Sequence, residues 1–134
     1  MRLLHLFLFV SIFYFVSYAH AKVEFKPDKQ TYKKGEKVCF TLKNASNQTV
    51  YLPSSAPWVV FKKDKVIYSP ISNQVIVKLK PNQKKKWCWD QRTYKKGEKV
   101  LSGNYKIRIT LFENGKREFL SFDVKIVPDY ANAK

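Results

Sequence analysis

The sequence predicts an all-β fold, a β-sandwich of about seven to nine short antiparallel strands. Two long segments near the C-terminus alternate apolar and polar residues with a period of two and are joined by Asn114-Gly115. Upstream, short apolar runs recur about every ten residues and are broken by Pro53, Pro57, Pro70, Pro81 and Gly35. No stretch sustains the helical period of about 3.6 residues.

Taking the elements in turn, residues 119–127 place Leu120, Phe122, Val124 and Ile126 on one face, with Ser121, Asp123 and Lys125 on the other. Residues 105–111 set Tyr105, Ile107, Ile109 and Leu111 against Lys106, Arg108 and Thr110. Asn-Gly between two such strands predicts a type I′ hairpin, because both central residues of that turn need positive φ. Residues 36–44 put Val38, Phe40 and Leu42 on one side and Lys37, Cys39, Thr41 and Lys43 on the other. Further strands are expected at 49–52, 58–61, 66–68, 75–79 and 84–89, with a polar turn at 44–48. The octapeptide Thr-Tyr-Lys-Lys-Gly-Glu-Lys-Val occurs twice, at 31–38 and 93–100. Its flanks do not match and the chain is too short for two sandwiches, so it reads as a turn feeding a strand, with Gly35 and Gly97 supplying permissive backbone.

The N-terminus carries Met1 and Arg2, an almost unbroken apolar run over 3–18, then Ala19-His20-Ala21. One positive charge, a short apolar stretch and a small-x-small ending mark a secretory signal peptide over 1–21; an uncleaved anchor is the competing reading. Residues 22–127 are then one domain of ordinary size, followed by a tail at 128–134. Both histidines, His5 and His20, lie in the signal segment, and with them go the commonest general base and the commonest metal ligand. No cofactor is expected.

The chain carries 26 Lys and Arg against 10 Asp and Glu, a net charge of +16, of which a single charge belongs to the signal segment. Such a surface attracts polyanions in a salt-dependent way. Only Arg2, Arg92, Arg108 and Arg117 are arginines. Bidentate recognition of phosphates and base edges prefers arginine, so a nucleic-acid partner is not expected.

Cys39 lies between inward-facing Val38 and Phe40, and Cys88 between Trp87 and Trp89, so both cysteines face outward. In a sandwich of this kind their strands are antiparallel neighbours, and a non-hydrogen-bonded pair brings Cα atoms to about 4.5 Å, within disulfide range. A Cys39–Cys88 cross-strand disulfide on the sheet surface is therefore expected, in keeping with export to an oxidising compartment.

The segments Trp87-Cys88-Trp89-Asp90-Gln91, Gly97-Glu98-Lys99-Val100 and Gly103-Asn104-Tyr105-Lys106-Ile107 follow a pattern W-x-W-D-Q, G-x-x-V, G-x-Y. Upstream stand Tyr32, Gly35-Glu36 and Val38, then Ala56-Pro57-Trp58 and Tyr68-Ser69-Pro70. Together, over about residues 33–111, they resemble the BsuPI-type intracellular proteinase inhibitor domain family, and the resemblance implies an immunoglobulin-like sandwich. A signal peptide departs from that family's intracellular setting, so an inhibitory role implies an extracytoplasmic target. Read from the residues themselves, Trp87 and Trp89 are core candidates. Gly103 and Tyr105 fit a tyrosine corner, and Asp90 and Gln91 cap the turn, with Gln91 bonding loop backbone.

The ten acids are scattered, with no pair spaced locally for acid/base work. Ser54, Ser55, Ser69 and Ser72 have no histidine to activate them, and four glycines supply no phosphate-cradling loop. A non-enzymatic module is expected. In one reading it presents a loop, at 53–57 (Ser54, Ser55, Ala56, Pro57) or 69–73 (Ser69, Pro70, Ile71, Ser72), to an extracytoplasmic protein such as a proteinase. In the alternative it is held to anionic envelope polymer or lipid by a basic patch of Lys84, Lys85, Lys86, Lys95 and Lys96, with no transmembrane span left after cleavage.

Overall fold

The computed structural model describes residues 22–94 and 98–129. The expected signal segment (residues 1–21), Lys95, Lys96, Gly97 and residues 130–134 lie outside the described residues. Ten strands form, rather than seven to nine: β1 (Val23–Pro27), β2 (Thr31–Lys33), β3 (Val38–Asn44), β4 (Val50–Leu52), β5 (Trp58–Lys62), β6 (Lys65–Tyr68), β7 (Val77–Leu79), β8 (Lys84–Trp89), β9 (Gly103–Glu113) and β10 (Lys116–Val127). The additional ones are β1 and β2. β1 alternates buried Val23 and Phe25 with exposed Glu24 and Lys26, and β2 comes from the first octapeptide, with Tyr32 the one buried residue of its three. The expected strand at 75–79 shortens to β7, leaving Val75 and Ile76 in an exposed connection.

Two sheets pack face to face. The smaller has the order β1-β3-β8, all antiparallel. The larger runs β2-β10-β9-β4-β7, with β5 also on β9 and β6 on β5. β2 is parallel to β10, so the N-terminal stretch pairs first with one sheet and then with the other. This is an immunoglobulin-like sandwich, in which the first, second and fifth strands of the common plan form one sheet and the last two pair with the third.

β10 and β9 meet in the predicted hairpin, with Glu113 opposite Lys116 and with Asn114 (φ 51) and Gly115 (φ 76) between them. Their inward residues, Tyr105, Ile107, Ile109, Leu111, Val124 and Ile126, are all buried. From the other sheet Phe40 meets Phe25, Trp58, Trp87 and Phe122 at ring-centroid distances of 5.0–6.2 Å, and Phe25 meets Phe122 at 4.8 Å. Trp89 is buried, whereas Trp87 is only partly covered.

Cys39 and Cys88 are direct partners in the β3–β8 register, with a Cα–Cα distance of 4.0 Å, and are joined as a disulfide on the outer face. The bond closes a loop of 49 residues in sequence separation. In the chain-entropy account this stabilises the fold by about 4 kcal/mol. The double substitution Cys39→Ala with Cys88→Ala is expected to lower unfolding stability by about that amount, read by urea unfolding, with a steeper slope because the unfolded chain expands once the cross-link is gone.

Candidate functional site

The two loops singled out from sequence differ in kind. Tyr51 of β4 pairs with Phe112, and Trp58 of β5 with Ile109, so β4 and β5 lie end to end along β9. Residues 53–57 are therefore an interruption within one strand path, not a tip between strands. Pro53 and Pro57 have no N–H to give to the ladder, which places the break. Ser54 is buried, Ser55, Ala56 and Pro57 are half-buried, and Ala56 packs on the core. Pro57 accepts a bond from Thr110 N (3.0 Å), and Ser55 O accepts one from Trp87 Nε1 (3.1 Å).

The second loop leans on the first. Ser55 N donates to Asn73 O (3.1 Å), and Asn73 N donates to Ser55 Oγ (2.9 Å). At the other end, Ser69 Oγ is hydrogen-bonded to the hydroxyl of Tyr94, whose backbone N donates to Ile67 O (2.9 Å). The segment Pro70-Ile71-Ser72 is thus held at both flanks, and Ile71 between them is fully exposed. Beyond it Val75 and Ile76 are also exposed. Ile76 lines an open apolar groove of about 460 Å³ with Tyr51, Leu52, Pro53, Phe112 and Gly115.

The motif residues hold backbone. Gln91 is fully buried, at φ 64. Its Nε2 donates to Lys33 O and Glu36 O, both at 2.8 Å, and its Oε1 accepts from Gly35 N (3.1 Å). It therefore clamps the turn of the first octapeptide, where Gly35 takes φ 86. Asp90 Oδ1 caps Arg92 N (3.2 Å), and Asp90 Oδ2 pairs with Arg92 Nε (3.2 Å). Tyr105, buried, donates its hydroxyl proton to Leu101 O (2.5 Å), four residues back, as a tyrosine corner does. Gly103 opens the same strand.

The basic patch divides. β8 alternates, so Lys84 and Lys86 face outward, while Lys85 turns to the side of Trp87 and Trp89 opposite Leu42. Lys86 is tied to Asp28 (3.1 Å). Lys84 stands opposite Lys43, a like-charged cross-strand pair that costs stability unless an anion covers it.

The acids are not all scattered in space. The hairpin brings Glu113 beside Glu118, a diagonal neighbour across the strands, and the two share a hydrogen bond. Burial, then the Glu118 charge, raises the Glu113 carboxyl above its ordinary range. At the opposite end Lys29 and Lys33 hydrogen-bond Glu36 and hold it below that range. Among the described residues no group of three or more His, Cys, Asp or Glu is placed to hold a metal ion, and no helix is long and apolar enough to cross a membrane.

No protein-family model and no curated protein matches the chain. Among solved structures it is similar to a CARDB domain from Pyrococcus furiosus, determined in complex with di-metal ions, at 20% identity over 81% of this chain and 93% of that one, TM-score 0.45. It is similar to a PapD-like domain of human CEP192 at 16% identity over 82% and 87%, TM-score 0.40. It is also similar to part of a beta-glucosidase from Listeria innocua, at 16% identity over 81% of this chain but 16% of that one, TM-score 0.37.

Replacing Gln91 by Leu leaves three loop backbone groups without their partner and is expected to cost about 2–4 kcal/mol, measured by urea unfolding. For the carboxyl pair, the folded state binds the Glu113 proton more tightly than the unfolded chain does. The associated stability is therefore present below the ordinary carboxylate range and lost as pH rises through the raised value. Glu118→Gln removes the facing charge but not the burial. It is expected to raise the thermal midpoint at neutral pH, leave it unchanged near pH 4 (about the unperturbed glutamate value), and so flatten the pH profile.

Proposed function

We propose that the chain is an exported, non-enzymatic immunoglobulin-like interaction module that presents Pro70-Ile71-Ser72 to an extracytoplasmic protein, with a proteinase the class that its resemblance to an inhibitor family suggests. One observation carries this reading: Ile71 is fully exposed between two hydrogen-bonded anchors, Ser69 to Tyr94 and Asn73 to Ser55. A fully exposed isoleucine gains roughly 1.5–3 kcal/mol when a partner buries it. A loop already pinned at both flanks and led by a proline loses little conformational freedom on docking. The 53–57 segment acts as support rather than as contact.

The alternative, retention by anionic polymer or lipid, draws support from the Lys43–Lys84 pair. It is weakened by the division of the lysine run and by the pairing of Lys86 with Asp28 and of Lys26 with Glu24.

The test is retention from envelope extract on the immobilised, exported chain at low and high salt, beside an Ile71→Asp variant. The expected outcome is a protein retained at high salt by the native chain and lost by the variant. Retention confined to low salt and indifferent to Ile71 would overturn the loop and leave the lysines as the contact, since phosphate-type binding weakens steeply with salt.

A further inference from the structure

The outer face of the larger sheet departs from the polar-outward pattern of a two-layer sandwich. β5 begins Trp58-Val59-Val60-Phe61, apolar on both sides. Trp58 and Val60 enter the core, while Val59 and Phe61 are half-buried on the solvent side. Nearby on β10, Phe119 is 48% exposed. Between the two phenyl rings lies the Arg108 guanidinium, 5.0 Å from the Phe61 centroid and 4.3 Å from that of Phe119. Arg117 stacks on the same Phe119 ring at 5.5 Å. Arg108 Nε is buried without a hydrogen-bond partner among the described residues, and a groove of about 230 Å³ opens beside it.

The choice of cation is informative. All but four of the 26 basic residues are lysines, which suits solvated positions. Of the three described arginines, Arg92 is paired with Asp90, and the other two are those on Phe119. Lysine serves equally well as a solvated charge, but only arginine stacks flat and keeps a fixed fork of donors. Aromatic and arginine side chains are enriched at the centres of protein interfaces, where lysine is depleted.

Charge selects the occupant. Lys106, Arg108 and Arg117 share this face with Asp123, which stands opposite Lys106, and at the groove Lys63 and Asp64 add one charge of each sign, so the cations remain in excess. A second copy would set cations against cations in a chain of net charge +16, whereas a carboxylate among apolar side chains complements both the guanidinium and the rings. We infer that the outer face of β5, β9 and β10 is a second docking surface, separate from the Ile71 segment. It takes a protein segment that presents a carboxylate to Arg108 and apolar side chains to Phe61 and Phe119.

The probe is a random peptide library selected on the chain purified after export, with the clones re-measured on Arg108→Lys, Phe119→Ser and Ile71→Asp. Enrichment of peptides combining Asp or Glu with aliphatic or aromatic residues is expected. These peptides should lose roughly tenfold or more in affinity on each of the first two variants, the scale of one charge-assisted hydrogen bond, and none on the third. Unchanged thermal midpoints keep the loss from being read as unfolding. Acid-poor clones, or clones indifferent to Arg108 and Phe119, would overturn the inference. So would sedimentation showing a dimer of the native chain that Phe119→Ser dissolves, or phosphatidylglycerol vesicles bound through Phe119. Loss on Ile71→Asp alone would support the loop reading and refute this one.

Discussion

Phe40 ties the two sheets into one body. Its ring, fully buried, touches Phe25 and Trp87 within its own sheet and Trp58 and Phe122 from the other. Burying a side chain of that size contributes about 1.5–3 kcal/mol, and the offset and edge-on ring pairs add to it. On the opposite side of the same strand pair, one residue away in the register, the Cys39–Cys88 bond fixes β3 to β8. The pair is therefore held from the core by rings and from solvent by a covalent bond. Trp87 carries that rigidity outward, since its indole N–H donates to Ser55 O, and Ser55 in turn anchors Asn73. The exposed Ile71 segment is three contacts from the centre of the core.

The repeated octapeptide shows how little a local sequence decides alone. In the first copy Tyr32 is 2% exposed, with its hydroxyl donating to Cys39 O, and Thr31–Lys33 forms a strand parallel to β10. In the second, Tyr94 is 60% exposed and bonds Ser69. The turn valines, Val38 and Val100, are buried in both. What separates the copies is the partner: β10 offers the first an open strand edge, and Gln91 clamps its turn. Among the described residues the second copy joins no strand and is tied instead by an isolated bridge, Arg92 to Lys99, and by the bond from Tyr94 N to Ile67 O. Tertiary pairing outweighs propensity where the peptide is this short.

Most of the fold is legible in the sequence because its signals are periodic. Alternation at 105–111 and 119–127 marks the buried faces, Asn114-Gly115 marks the turn, and the outward positions of Cys39 and Cys88 follow from the same period. The rest depends on lengths and registers that one segment does not contain. Pro53 and Pro57 mark a break, but that both halves lie along β9 follows from β9 being 11 residues long, enough to pair with two short strands in succession. The run Lys84-Lys85-Lys86 reads as a patch by charge alone, whereas the strand period sends Lys85 to the other side. Glu113 and Glu118 become neighbours only through the hairpin register. The uncovered aromatic face did carry a signal: Trp58-Val59-Val60-Phe61 is apolar in both phases, as in strands covered on two sides.

The basic residues of this chain then fall into two physical roles. Its many lysines project into water and raise the encounter rate with any acidic partner, an effect that reaches only about a Debye length and fades with salt. They do not select among such partners. Arg108 is different because its guanidinium is held between two rings and is partly desolvated, so a carboxylate would meet it with less entropy still to lose and less water to displace. In the proposed reading Ile71 would discriminate by shape without charge. A long-range field that would gather acidic partners and two short-range contacts that would sort them form a consistent arrangement for the interaction module proposed above.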